Sequence, residues 1–378
     1  MNSLLQLKEH GQSAWLDYFD HHLIQSGELR KWVDEGEISG VTTNPAILAK
    51  SIGSDAGYAE DMRTLISQGQ GYAPAAALEK LVIPDIRATA DILRPIYDST
   101  HWRNGYVSLQ IAPELADDTE KTVAETRRLW REVGRENLMV KIPATEAGIP
   151  AITQLIADGI NVSVTLLFSQ TQYERAAQAY LDGLEQRIAR GGNPASIASV
   201  ASFFISRIDT AVDAIITSHL NQCGWIKLYN AVERESLRNL LGKMGIASAK
   251  VAYERYQAIF SGPRWDALAA QGAQKQRLLW ASIGIKNPAY RDVKYIEELI
   301  GPDTVTTIPP ATLAAFREHG RVRDSLQENA ANAAILLSTL KTLRISLDDI
   351  GSKLSSDGVK QFSAAYEKLL NSIQKPLP

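Results

Sequence analysis

The sequence predicts an α/β fold: a closed parallel (β/α)8 barrel of the TIM type, with additional C-terminal helices. Three observations predict it. Eight short β-type runs recur along the chain, and helical periodicity follows them. Several of these runs are apolar on both faces, as strands must be when a core lies on one side and helices on the other. No GxGxxG or phosphate-loop motif opens any unit, which sets aside the open doubly wound sheet that the same alternation could build.

In chain order the predicted strands cover residues 14–18, 40–44, 106–112, 138–144, 162–168, 199–205, 278–284 and 304–308. The helices between them carry recognisable start and stop signals. Asp117-Asp118-Thr119-Glu120 opens a long charged helix, and Ser169-Gln170-Thr171-Gln172 opens another that ends at Gly191-Gly192. Residues 46–104 and 210–276 are long enough for extra helices. Residues 321–378 have helical periodicity and no further strand. No Pro/Gly/Ser-rich linker separates them, so residues 1–378 read as one barrel domain with 321–378 as a helical extension packed on it. No internal repeat exists beyond the βα alternation.

Of the 378 residues 45% are hydrophobic and 22% charged, the composition of an ordinary globular chain. The formal net charge is −3 and no basic block occurs, so no nucleic-acid footprint is expected. No apolar stretch is long enough to cross a bilayer, and the first ten residues turn polar too soon for a signal peptide. A cytoplasmic enzyme or binding protein with no membrane partner is expected. Cys223 is the only cysteine, which excludes an internal disulfide and a cysteine metal cluster. The six histidines include no HExxH spacing; His21-His22, on an amphipathic helix, fit a solvated or capping role. The sequence leaves a homo-oligomer open.

Lys141 lies in the apolar run Leu138-Met139-Val140-Lys141-Ile142-Pro143-Ala144. An ammonium is costly to bury, and burial lowers its pKa toward neutrality, where the free amine can attack a carbonyl and form a Schiff base. The alternative is a lysine that snorkels to solvent or pairs with a carboxylate. In such a barrel the reactive groups gather at the C-terminal strand ends. Those ends carry Asp17, Thr43-Asn44, Gln110, Lys141, Ser163 with Thr165, Ser202, Ser282 and Thr306-Thr307. An amine among hydroxyls, amides and one carboxylate suits a polyhydroxylated carbonyl compound, although any single Ser or Thr can equally be a satisfied polar group at a strand terminus. Asp17 has two readings, helix N-cap and general base. Arg207 and Lys286 are candidate phosphate ligands, Arg207 at a helix start and Lys286 after the seventh strand; Arg207 could instead pair with Asp209 or Asp213.

These motifs together resemble transaldolase. The matching segments are Gly40-Val41-Thr42-Thr43-Asn44-Pro45, Val140-Lys141-Ile142-Pro143-Ala144-Thr145, Val164-Thr165-Leu166-Leu167-Phe168-Ser169 and Ser202-Phe203-Phe204-Ile205-Ser206-Arg207-Ile208-Asp209. Trp280-Ala281-Ser282-Ile283-Gly284-Ile285-Lys286-Asn287-Pro288 and the long C-terminal helices are similar to the longer bacterial branch. The resemblance implies that Lys141 forms a Schiff base with a ketose phosphate and needs no metal or other cofactor. It further implies that Asp17 takes the C4 hydroxyl proton, Asn44 and Ser202 hold the dihydroxyacetone part, Thr165 positions a catalytic water, and Arg207 and Lys286 bind phosphate. The implied reaction belongs to the pentose phosphate pathway. It transfers dihydroxyacetone between sugar phosphates, with fructose 6-phosphate and glyceraldehyde 3-phosphate on one side and erythrose 4-phosphate and sedoheptulose 7-phosphate on the other.

Two positions depart from the family pattern. Gln110 stands where the third strand usually carries a glutamate, and an amide can hold a water but cannot shuttle its proton. Fructose-6-phosphate aldolases carry glutamine there, paired with a tyrosine on the sixth strand, where this chain has Phe204 as transaldolases do. Ser163 replaces an asparagine that binds substrate near the imine. Alternatives to transaldolase are therefore aldolase-like cleavage, recruitment to another ketose, and non-catalytic sugar-phosphate binding.

Overall fold

The strand pattern closes as expected. In the computed structural model, which describes residues 2–54, 56–67, 73–221 and 229–374, eight parallel strands form a barrel in chain order. They are β1 (Gln12–Leu16), β2 (Gly40–Val41), β3 (Tyr106–Gln110), β4 (Leu138–Pro143), β5 (Val162–Leu167), β6 (Ser199–Phe204), β7 (Arg277–Ala281) and β8 (Thr304–Ile308). Cys223 lies outside the described residues. Strands β3 to β8 are almost wholly buried, which accounts for their two-faced apolar character.

β2 is shorter than its sequence suggests. Thr42 N still donates to Leu16 O at 2.8 Å, but at Thr43 it is the hydroxyl that meets the next strand, Oγ1 donating to Ser108 O at 2.7 Å. β5 is irregular between Val164 and Leu167, where Leu166 takes φ 63°. At the opposite end of the barrel the buried Arg277 donates to Ser13 Oγ, Arg103 O and Asn104 Oδ1, and burial pulls its pKa down to about 10.

The helix signals also hold. Asp118 caps helix Thr119–Val133 and Ser169 caps helix Gln170–Ala189. The segment after β2 forms helices Pro45–Ser54, Ala56–Ser67 and Pro74–Ser99, and the segment after β6 forms Ser206–Asn221, Ala231–Leu240, Met244–Ile259 and Pro263–Ala269. His21 is neither solvated nor a cap: its Nδ1 lies 3.1 Å from the Asp85 carboxylate, tying helix His21–Gln25 to Pro74–Ser99.

The last two helices, Ala330–Thr342 and Leu347–Gln374, pack on the barrel's outer helices and its mouth. Helix Leu347–Gln374 touches helices Pro45–Ser54, Pro74–Ser99 and Ser206–Asn221, the β5 strand and the single turn Pro113–Leu115. Two glycines permit this approach. A Cβ on Gly358 would sit 2.7 Å from Leu166 Cδ2, and one on Gly351 would sit 3.2 Å from Ser169 Cβ. Among the described residues no helix is long and apolar enough to cross a membrane.

Candidate active site

β4 delivers Lys141 to the C-terminal end of the barrel, only 6% exposed, with Nζ donating to Thr43 O at 3.0 Å. It neither snorkels nor forms a salt bridge. Burial pulls the amine pKa down, and the facing Asp17 carboxylate opposes that shift. Lys141 stands in register with Gln110 on β3 and Ser163 on β5.

Asp17 follows β1. Its backbone N continues the β1–β8 ladder by donating to Ile308 O at 2.9 Å, while Thr42 Oγ1 donates to Oδ1 at 2.9 Å. Burial pushes the carboxyl pKa up; Lys141, the Thr42 hydrogen bond and Lys286 pull against it. The helix cap is Asp20, which accepts from Leu23 N at 2.6 Å, so Asp17 is released from the capping role that its position suggested.

Asn44 does carry a capping duty that the sequence reading missed. Its Oδ1 accepts from Ala46 N and Ile47 N, both at 3.0 Å, at the start of helix Pro45–Ser54. The carbonyl end is thereby fixed, and the Nδ2 amide is the end available to a ligand. Ser282, with φ 53°, joins β7 to helix Ser206–Asn221: its hydroxyl lies 3.0 Å from Ser206 Oγ, and its carbonyl accepts from Ser206 N.

A cavity of about 400 Å³ opens here, a size suited to a small-molecule ligand. Of the residues singled out in the sequence, Asp17, Asn44, Lys141, Ser202, Phe204, Arg207, Ser282, Lys286 and Thr307 line it. Gln110, Ser163 and Thr165 are not on that lining; Gln110 and Ser163 flank Lys141 in register, Thr165 stands opposite Pro143, and Gln110 lines two smaller cavities. The side-chain oxygens of Gln110, Ser163, Thr165 and Ser202 are buried and have no hydrogen-bond partner among the described residues. Orphaned acceptors of this kind are costly unless water or a ligand meets them, so their grouping beside a buried amine marks a polar binding surface.

Arg207 does not pair with Asp209 or Asp213. Its Nη1 donates to Gln361 Oε1 at 2.8 Å and its guanidinium lies 5.8 Å from the Phe204 ring centroid. Asp209 instead accepts from Gly245 N and Tyr295 Oη, and Asp213 from Gly242 N and Tyr290 Oη. Glu114, the carboxylate nearest in sequence to Gln110, is exposed on the turn Pro113–Leu115. Lys50, Tyr18, Gln361 and Phe362 also line the cavity and were missed. Lys50 follows Asn44 by less than two helical turns, the one signal that could have found it. Gln361 and Phe362 carried no signal at all. Among the described residues no group of three or more His, Cys, Asp or Glu could hold a metal ion.

A family profile described as Transaldolase/Fructose-6-phosphate aldolase matches residues 14–373. A protein named Transaldolase 2 from Nostoc punctiforme is 46% identical over 375 residues, covering 99% of this chain and 97% of that protein. The chain belongs to the transaldolase family. A transaldolase from Trichodesmium erythraeum is 42% identical over 376 residues, 99% of this chain and 97% of that protein. One from Neisseria gonorrhoeae is 42% identical over 370 residues, 98% and 99% respectively. Likeness over nearly the whole length of each relative makes the chain a transaldolase-type transferase, and its eight-stranded barrel is the fold on which that activity sits.

Proposed function

We propose that Lys141 carries the transaldolase reaction as a covalent Schiff base, with Asp17 as the proton carrier and a ketose phosphate as the donor. The observation that supports this most is the buried amine facing a half-buried carboxylate in one cavity whose lining also holds Arg207 and Lys286. Burial favours the uncharged amine, which is the nucleophile; the opposed charges keep a proton available within the pair.

The Lys141 amine adds to the C2 carbonyl of the donor, and loss of water gives the protonated imine. Asp17 removes the C4 hydroxyl proton, the C3–C4 bond breaks, and its electron pair moves into the imine to leave an enamine. The aldehyde departs. A second aldehyde then accepts the enamine carbon, Asp17 returns the proton to the new hydroxyl, and water releases the product ketose. The imine is the electron sink, so no further cofactor enters this proposal.

Carbon balance corrects the grouping of substrates expected above, because fructose 6-phosphate and glyceraldehyde 3-phosphate hold nine carbons and the other pair eleven. Fructose 6-phosphate therefore gives its three carbons to erythrose 4-phosphate, and sedoheptulose 7-phosphate gives its three to glyceraldehyde 3-phosphate. This exchange is the pentose phosphate pathway step, and a cytoplasmic setting fits it. Asn44 Nδ2 and Ser202 Oγ serve the dihydroxyacetone hydroxyls, Thr165 Oγ1 and Gln110 Oε1 a water, and Arg207 and Lys286 the phosphate, while Ser163 leaves room beside the imine.

The test is acceptor dependence. Consumption of fructose 6-phosphate should require erythrose 4-phosphate and yield sedoheptulose 7-phosphate. Steady release of free dihydroxyacetone without an acceptor would overturn transfer in favour of cleavage. Phe204 supports transfer, because it has no hydroxyl with which to protonate the enamine.

A further inference from the structure

Arg207 and Gln361 are 154 residues apart and hold one another at the mouth of the barrel, Nη1 to Oε1 at 2.8 Å. Both line the cavity. The arginine is partly buried, and burial pulls its pKa down; among the described residues no acidic group opposes that shift. Its two sequence-near carboxylates are engaged elsewhere, Asp209 with Gly245 and Tyr295 and Asp213 with Gly242 and Tyr290. The hydrogen-bond partner that remains is a neutral amide.

That choice of partner has a chemical consequence. A carboxylate at the same place would orient the guanidinium equally well but would cancel its charge before any anion arrived. An amide oxygen fixes the plane of the guanidinium through one N–H, leaves the positive charge uncompensated, and leaves other N–H groups to donate. The helix that carries Gln361 is seated firmly enough to do this. Gly358 lies against Leu166 and Gly351 against Phe168 and Ser169, while Phe362 is buried next to Gln361.

We propose that Gln361 is a positioning residue for phosphate recognition: it orients Arg207 without neutralising it, so that the C-terminal helix sets the preference for phosphorylated substrates. The inference rests on the reading of Arg207 as a phosphate ligand. Gln361 itself is exposed, so its replacement does not open a core cavity.

Gln361→Leu and Gln361→Glu test it, with three readouts: KM and kcat for fructose 6-phosphate with erythrose 4-phosphate as acceptor, competitive inhibition by inorganic phosphate, and borohydride trapping of unphosphorylated dihydroxyacetone. KM should rise about threefold in Gln361→Leu and about tenfold or more in Gln361→Glu, where a charge-assisted pair occupies the arginine. Phosphate inhibition should weaken in the same order. Turnover should change much less than KM, and trapping of dihydroxyacetone should match the unaltered protein. KM and phosphate inhibition unchanged in both variants, Gln361→Glu no worse than Gln361→Leu, or an equal loss of dihydroxyacetone trapping would each overturn the inference. Arg207→Leu separates the two layers. If it weakens phosphate inhibition while the Gln361 variants do not, only the positioning role falls; if it too leaves phosphate inhibition unchanged, the phosphate reading of Arg207 falls with it.

Discussion

Replacing Gln110 by glutamate should raise transaldolase turnover, and the size of the rise follows from two opposed terms. Gln110 stands in register with Lys141 on the neighbouring strand, and its Oε1 is buried without a partner among the described residues. A carboxyl group there could move the proton of a water during imine formation and hydrolysis, a contribution of about 100- to 10,000-fold for a well-placed acid–base group. The same carboxylate would also hold a proton on Lys141. Adjacent strands lie about 4.8 Å apart, and unit charges about 5 Å apart at an effective dielectric of about 20 attract by about 3 kcal/mol. An attraction of that size raises the amine pKa and cuts the free-amine fraction by up to ~100-fold. The gain exceeds the loss over most of this range, so the expected outcome for Gln110→Glu is a rise of about tenfold. Steady-state turnover of fructose 6-phosphate with erythrose 4-phosphate measures it. Activity unchanged or lowered would refute the reasoning and would mean that Gln110 serves something other than the water of this reaction.

Outcomes for three further variants follow from the same structure. Asp17→Asn should cost about 100- to 10,000-fold in turnover through loss of the proton carrier, and it should move the acid limb of kcat/KM to lower pH. The Asp17 charge holds the Lys141 pKa up against burial, so its removal lets the amine lose its proton at lower pH, and a shift of the limb to higher pH would contradict that sign. Gly358→Ala should give a protein no more stable than the parent: a Cβ 2.7 Å from Leu166 Cδ2 costs about 1–3 kcal/mol of overpacking against about 1 kcal/mol of helix propensity gained. Gly53→Ala, where nothing lies within 4 Å of the added Cβ, should stabilise by up to about 1 kcal/mol; equal stabilisation by both in thermal melts would show that Gly358 does not set the seating of the C-terminal helix.

The barrel was legible in the sequence because its determinants are local. Parallel strands buried on both faces read as apolar runs, and the helices between them begin at Asp118 and Ser169, whose side chains cap within a turn of their own position. The buried lysine was legible for the same reason, as a charge out of place in an apolar run. What was not legible depends on pairings that no local pattern encodes. The Asp17 and Asp20 positions both offered a carboxylate near a helix start, and only the turn geometry assigns the cap to Asp20. Arg207 had two acidic neighbours in sequence, yet both are claimed by the segment 242–295 and the arginine turns to a glutamine on the last helix. Lys50 reaches the cavity because helix Pro45–Ser54 begins at Asn44, a register set by a side-chain cap whose backbone partners are fixed only in the folded chain.

The central claim is that Lys141 is the covalent nucleophile, and trapping tests it most directly. The protein is incubated with fructose 6-phosphate, reduced with borohydride, digested and mapped by mass spectrometry. The account predicts one ketose-derived adduct, on the peptide containing Lys141, and none in Lys141→Met under the same conditions. An adduct on a different lysine, or an active protein that yields no adduct, would contradict it.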